Sequence, residues 1–68
     1  MRQFLINHRV QLVEEVNELQ LPRGEVGVVR GSWHGPNIAY EVEFRVSGSP
    51  LRLLLLDHQI AGVNSEYR

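Results

Sequence analysis

The segment Ile38 to Val46 constrains this chain more than any other. Ile38, Tyr40, Val42, Phe44 and Val46 alternate with Ala39, Glu41, Glu43 and Arg45. Side chains on a strand point to opposite faces in turn, so strict period-two alternation of this length specifies a half-buried β-strand. The even positions face a core and the odd positions face water. One such strand cannot bury its apolar row alone, so the rest of the chain has to supply a sheet around it.

Several flanking segments qualify. Arg9 to Val13 alternates and reads as an earlier strand. Glu25 to Arg30 is rich in β-branched residues and bounded by glycines, with a bend or close approach expected at Gly27. Leu51 to Leu56 is a six-residue apolar run after the turn signal Ser47-Gly48-Ser49-Pro50, too short between turns for a helix. Ile60 to Val63 reads as a last short strand after a single helical turn at Asp57-His58-Gln59. Between Glu14 and Leu21 the three-residue spacings suit one helical turn inside a long loop, ended at Pro22-Arg23-Gly24. Together these predict an all-β chain, a small five-stranded SH3-like barrel with a long first loop and a one-turn 3-10 helix before the last strand. Residues 1–68 form one domain, with 1–8 as an N-terminal extension and the polar end, 65–68, expected to fray.

Composition closes off other classes. With 68 residues there is room for one domain, and 43% apolar residues with a net charge of −1 do not describe a disordered chain. There is no cysteine, hence no disulfide framework, thiol catalyst or cysteine-ligated zinc. The isoelectric point of about 6.3 offers no basic surplus for phosphate neutralisation. All seven basic residues are arginine, which lineage bias explains most simply. No stretch approaches the ~18 apolar residues of a membrane helix. The run Phe4-Leu5-Ile6 is too short for the core of a signal peptide. A cytoplasmic location is the default expectation.

The most specific local pattern is Leu21-Pro22-Arg23-Gly24-Glu25-Val26-Gly27-Val28-Val29. Gly24 permits a positive φ where the chain enters a strand, and Gly27 lets a neighbouring strand pack closely. The Gly-Glu-Val-Gly turn resembles the KOW motif of ribosome- and polymerase-associated barrels. From about Val10 to Val63, the chain resembles a bacterial domain-of-unknown-function family of small SH3-like barrel proteins. The resemblance runs through Val10-Gln11-Leu12, the Leu21–Gly27 turn, the Ala39–Phe44 strand and the leucine-rich Leu53–Ile60 segment. It implies a fold and cytoplasmic partner proteins, with no agreed activity. The Phe4-Leu5-Ile6 extension and the Trp33-His34 loop depart from the family pattern.

No residue set supports catalysis. His8, His34 and His58 are 26 and 24 residues apart and match no metal-ligand motif, so neither metal nor cofactor is expected. Glu41 and Glu43 stand about 7 Å apart at strand rise, a spacing more in keeping with a solvated outer face paired to Arg45 or Arg30 than with an acid–base pair. No Ser-His-Asp set or phosphate loop is present.

The candidate functional residues are those of interaction. Trp33 and His34 fall in the glycine-bounded segment Gly31 to Asn37, read as a loop that borders the usual peptide groove, with the turn bearing His58 nearby. Trp33 either folds back to cap the barrel end or anchors a partner at the rim; the sequence leans to the first. Leu51, Leu53 and Leu55 face one way and Leu54 and Leu56 the other. A small barrel cannot bury both faces, so Leu54, Leu56 and Phe4, Leu5 and Ile6 form a surplus apolar surface. The expected function is therefore a non-catalytic protein-interaction module, a homodimer or a partner-binding barrel. The alternative is a nucleic-acid or ribosome-associated barrel, which requires Arg9, Arg23, Arg30, Arg45 and Arg52 on one face. An enzyme with a site between barrels stands third, on fold analogy alone.

Overall fold

The computed structural model describes residues 3–63. The expected fraying of the C-terminal residues lies outside that range. Five strands form one antiparallel sheet: β1 (Arg9–Leu12), β2 (Val26–His34), β3 (Ile38–Val46), β4 (Ser49–Leu56) and β5 (Ile60–Gly62). Their order across the sheet is β4-β3-β2-β1-β5. The two helical pieces are 3-10 turns, Asn17–Leu19 inside the long first loop and Asp57–Gln59 between β4 and β5. The all-β class, the long loop and the single turn before the last strand agree with the sequence reading. β4 and β5 lie at the two ends of the sheet, so no hydrogen-bonded ladder closes it into a barrel among the described residues.

The core follows the alternation. Tyr40, Val42 and Phe44 of β3 are buried with Val10 and Leu12 of β1, Val29 of β2, Leu55 of β4, Ile60 of β5 and Leu21 from the loop. Two glycines of the Leu21–Val29 pattern have the roles their positions predict. Gly24 has φ +90°. At Gly27 an added Cβ would lie 2.7 Å from Val42 Cγ1 and 2.8 Å from the Glu43 carbonyl oxygen, so β3 crosses closer than any side chain allows.

Three features differ from expectation. First, β2 does not stop at Arg30 but runs on to His34, paired with the start of β3 through Ser32↔Tyr40, Trp33↔Ala39 and His34↔Ile38. Trp33 and His34 thus stand on a strand, and the loop shrinks to Gly35-Pro36-Asn37. The cause is a β-bulge: Val29 pairs with Val42 and Gly31 with Glu41, leaving Arg30 as an extra residue. Second, the turn after β3 is only Ser47-Gly48, both at positive φ, and β4 starts at Ser49. Third, Phe4 is not surplus. Its ring meets that of Tyr40 edge-on, with centroids 5.3 Å apart, and its backbone N–H donates to the Tyr40 hydroxyl at 3.2 Å. The hydroxyl of a fully buried tyrosine thereby gains a partner, and part of the extension joins the core.

Candidate functional site: an apolar row on the outer sheet face

The strand register sets which side chains share the outer face. Across β2, β3 and β4, one row reads Trp33, Ala39, Leu56 and the next reads Gly31, Glu41, Leu54. The bulge at Arg30 turns Trp33 to this side. Before the bulge Val29 faces the core opposite Val42; after it, Gly31 and Trp33 lie on the same face as the outward-pointing Glu41. Were Arg30 paired in an unbroken ladder instead of bulged, Trp33 would occupy the inward phase of the strand.

Trp33 is 53% exposed, Leu54 65% and Leu56 39%. Ala39, between Trp33 and Leu56, is buried and small, and forms the floor of the row. The indole lies along the strand over Gly31: an added Cβ there would stand 3.4 Å from Trp33 Cζ3. Trp33 is therefore not a lid over the end of the core. It is a flat aromatic surface held against a glycine, beside two exposed leucines.

An ionic cluster flanks the row. Arg52 Nε lies 3.1 Å from Glu43 Oε1, Arg52 Nη1 lies 3.7 Å from Glu41 Oε2, and Arg30 Nε lies 3.5 Å from Glu43 Oε1. Glu41 and Glu43 are thus the paired outer-face carboxylates expected, with Arg30 as one partner. The other is Arg52, because Arg45 instead donates to the Gly48 carbonyl at 3.1 Å. The two arginines nearest the row are occupied by carboxylates, and Arg30 also donates to Asn7 Oδ1 at 2.7 Å.

The remaining candidates are placed separately. His34 follows Trp33 on the strand, exposed, with Nε2 3.3 Å from Ser32 Oγ. His58 stands on the turn just after Leu56, mostly exposed, with Nδ1 3.9 Å from Asp57 Oδ1. Leu5 and Ile6 are exposed in the turn before β1, where the Asn7 N–H donates to the Val29 carbonyl at 2.7 Å. They hold no position in the Trp33 and Leu54 rows. Phe4 belongs to the core edge. Of the predicted interaction residues, Trp33, Leu54 and Leu56 are brought together. Among the described residues no three His, Asp or Glu side chains gather as metal ligands, and no helix is long and apolar enough to cross a membrane. An open depression beside the first loop, lined by Glu15, Asn17, Gln20, Leu21, Pro22 and Arg23, has no group of histidines or cysteines to carry chemistry.

Sequence reasoning missed Gly31 and Ala39 as parts of the site. Their signal is their size: each is a small residue at an outward position, next to a large apolar residue along or across the strand. Comparison with family models, curated proteins and solved structures returns no match to this chain.

Proposed function

We propose that this chain is a non-catalytic protein-interaction module that engages a protein surface through the outer-face row of Trp33, Ala39 and Leu56 with Leu54 beside it. The observation that carries this reading is the register: an exposed tryptophan and two exposed leucines share one face of three adjacent strands. A contiguous apolar patch with a polar flank suits a protein contact, and tryptophan is the side chain most often found at the energetic centre of one. The pairing of Arg30 and Arg52 with Glu43 supports a protein over a nucleic acid, since a phosphate would have to displace those carboxylates. The resemblance to small bacterial SH3-like barrels supports the same reading, and with it a cytoplasmic setting.

The test is a comparison of the wild type with the double variant Trp33→Ala/Leu54→Glu. Sedimentation velocity follows self-association, and affinity capture from the source cell follows other partners. Far-UV circular dichroism verifies that both proteins are folded. Association present in the wild type and lost in the folded variant is expected. Equal behaviour of the two proteins refutes the reading, and steeply salt-dependent binding of RNA by both would replace it with the nucleic-acid barrel.

A further inference from the structure

The strand β4 is an edge of the sheet, eight residues long, and no described residue pairs with its far side. The other edge, β5, has only three residues. A long edge is a template for another strand unless something blocks it. Here the blocks are themselves informative.

In an antiparallel ladder, the N–H and C=O of one residue point to the same side, and successive residues point to opposite sides. Two observations fix the phase in β4. The Leu56 N–H donates to Gln59 Oε1 at 2.8 Å, so it does not point at β3. Pro50, paired with Arg45 and lacking an N–H, occupies the same phase, as a proline within an edge strand must. The open edge therefore presents the backbone of Pro50, Arg52, Leu54 and Leu56. Of these, Arg52 and Leu54 have N–H groups that no described residue accepts from. The two positions without a donor, Pro50 and Leu56, lie three residues to either side of Leu53.

We infer that β4 pairs antiparallel with β4 of a second copy of this chain, about a two-fold axis at Leu53. In that register Arg52 of each copy exchanges two backbone hydrogen bonds with Leu54 of the other. Pro50 falls opposite Leu56, so both donor-less positions meet at the ends of the ladder and no N–H is stranded. The symmetry of the free donors is what selects a second copy over an unrelated strand. Charge agrees. The outer-face row across the seam reads Glu43, Arg52, then Leu54 and Glu41 of the second copy, and the same sequence runs in the other direction. Each Arg52 keeps Glu43 and Glu41 of its own copy as partners, so its charge is met on its own side of the seam. The seam also covers the half-buried Leu51 and Leu53. A ten-stranded sheet results, with both Trp33 rows on the same face.

This inference rests on the interaction-module reading in taking the partner to be a protein, but its bonds are those of the strand-edge backbone, and Trp33 takes no part in them. The chain has no cysteine, so a single introduced thiol reports the seam. Leu53→Cys places two Cα atoms about 4.5 Å apart across the axis, within disulfide reach. Leu51→Cys would face position 55 and stand roughly 13 Å along the strand from its own counterpart, out of reach. Rapid disulfide dimers of Leu53→Cys but not of Leu51→Cys are expected under mild oxidation. In sedimentation, Arg52→Pro removes two of the four seam hydrogen bonds and weakens the dimer about thirtyfold or more, while Trp33→Ala leaves it intact. If Leu53→Cys does not fold, the Arg52→Pro comparison decides. A dimer broken by Trp33→Ala and untouched by Arg52→Pro overturns the edge pairing and keeps the interaction-module reading. A monomeric wild type overturns the edge pairing, and the capture experiment with the Trp33→Ala/Leu54→Glu variant then judges the broader reading on its own.

Discussion

Replacing Gly27 by alanine places a methyl group where the chain has no room for one. The added carbon would stand 2.7 Å from Val42 Cγ1, 2.8 Å from the Glu43 carbonyl oxygen and 2.8 Å from Phe44 Cε1. Two of these neighbours are buried core side chains. The third is backbone of β3, fixed by the Val28↔Glu43 pairing. None is the free end of a flexible side chain, so relief requires β2 and β3 to move apart. Overpacking of this kind costs about 1–3 kcal/mol, and the entropic gain of Gly→Ala returns only about 0.4–1 kcal/mol. We expect a net loss of about 2 kcal/mol. A domain of this size has roughly 3–10 kcal/mol in total, so the loss is a large share of the whole. It corresponds to a fall in Tm of roughly 8–16 °C. Gly35→Ala is the matched control. It lies in the turn after β2, has nothing within 4 Å of an added Cβ, and is expected to stay within about 0.5 kcal/mol of wild type. Urea unfolding followed by far-UV circular dichroism measures both. Equal midpoints for the two variants would refute the close-approach account of Gly27.

Two further outcomes follow from the same structure. Tyr40→Phe removes the acceptor of the Phe4 N–H and is expected to cost about 1 kcal/mol in urea unfolding; no loss would mean that the extension does not dock there. Glu43→Gln breaks the contacts to Arg30 and Arg52, both well exposed, and should cost less than about 1 kcal/mol, with the difference shrinking in high salt; a larger, salt-independent loss would show the cluster to be structural.

The strands were legible because burial imposes a period. The alternation at Ile38–Val46 gives the inward set Tyr40, Val42, Phe44, and the leucine run gives Leu55 inward with Leu54 and Leu56 outward, because a pleated chain has only two sides to choose between. Gly24 and Gly27 were legible because their turn and crossing exclude a side chain on local geometry alone. The bulge at Arg30 was not. Alternation tells which face a residue takes only while the ladder stays in phase, and nothing in Val29-Arg30-Gly31 marks the extra residue until the partner strand is in place. That is why Trp33 and His34 read as loop. Phe4 reads as surplus for a similar reason: its partner, Tyr40, is 36 residues away, and only the assembled sheet brings a ring edge and a hydroxyl to the same end. Leu54 and Leu56 read as interaction residues from their phase, but their alignment with Trp33 depends on the register of two separate ladders.

The extra residue in β2 also makes the apolar row depend on how the ladder accommodates Arg30. Trp33 lies on the outer face because Arg30 is left out of the pairing, so that Gly31 stands opposite Glu41 and Trp33 opposite Ala39. Deleting Arg30 alone would remove the bulge and leave Gly31 opposite Glu41 and Trp33 opposite Ala39, whereas taking Arg30 into an unbroken ladder would set Ser32 beside Ala39 and send the indole toward the core side. A shift of pairing that leaves every residue in the chain would erase the row. The presence of the surface is therefore a matter of phase, set by whether β2 pairs with β3 through Arg30 or around it.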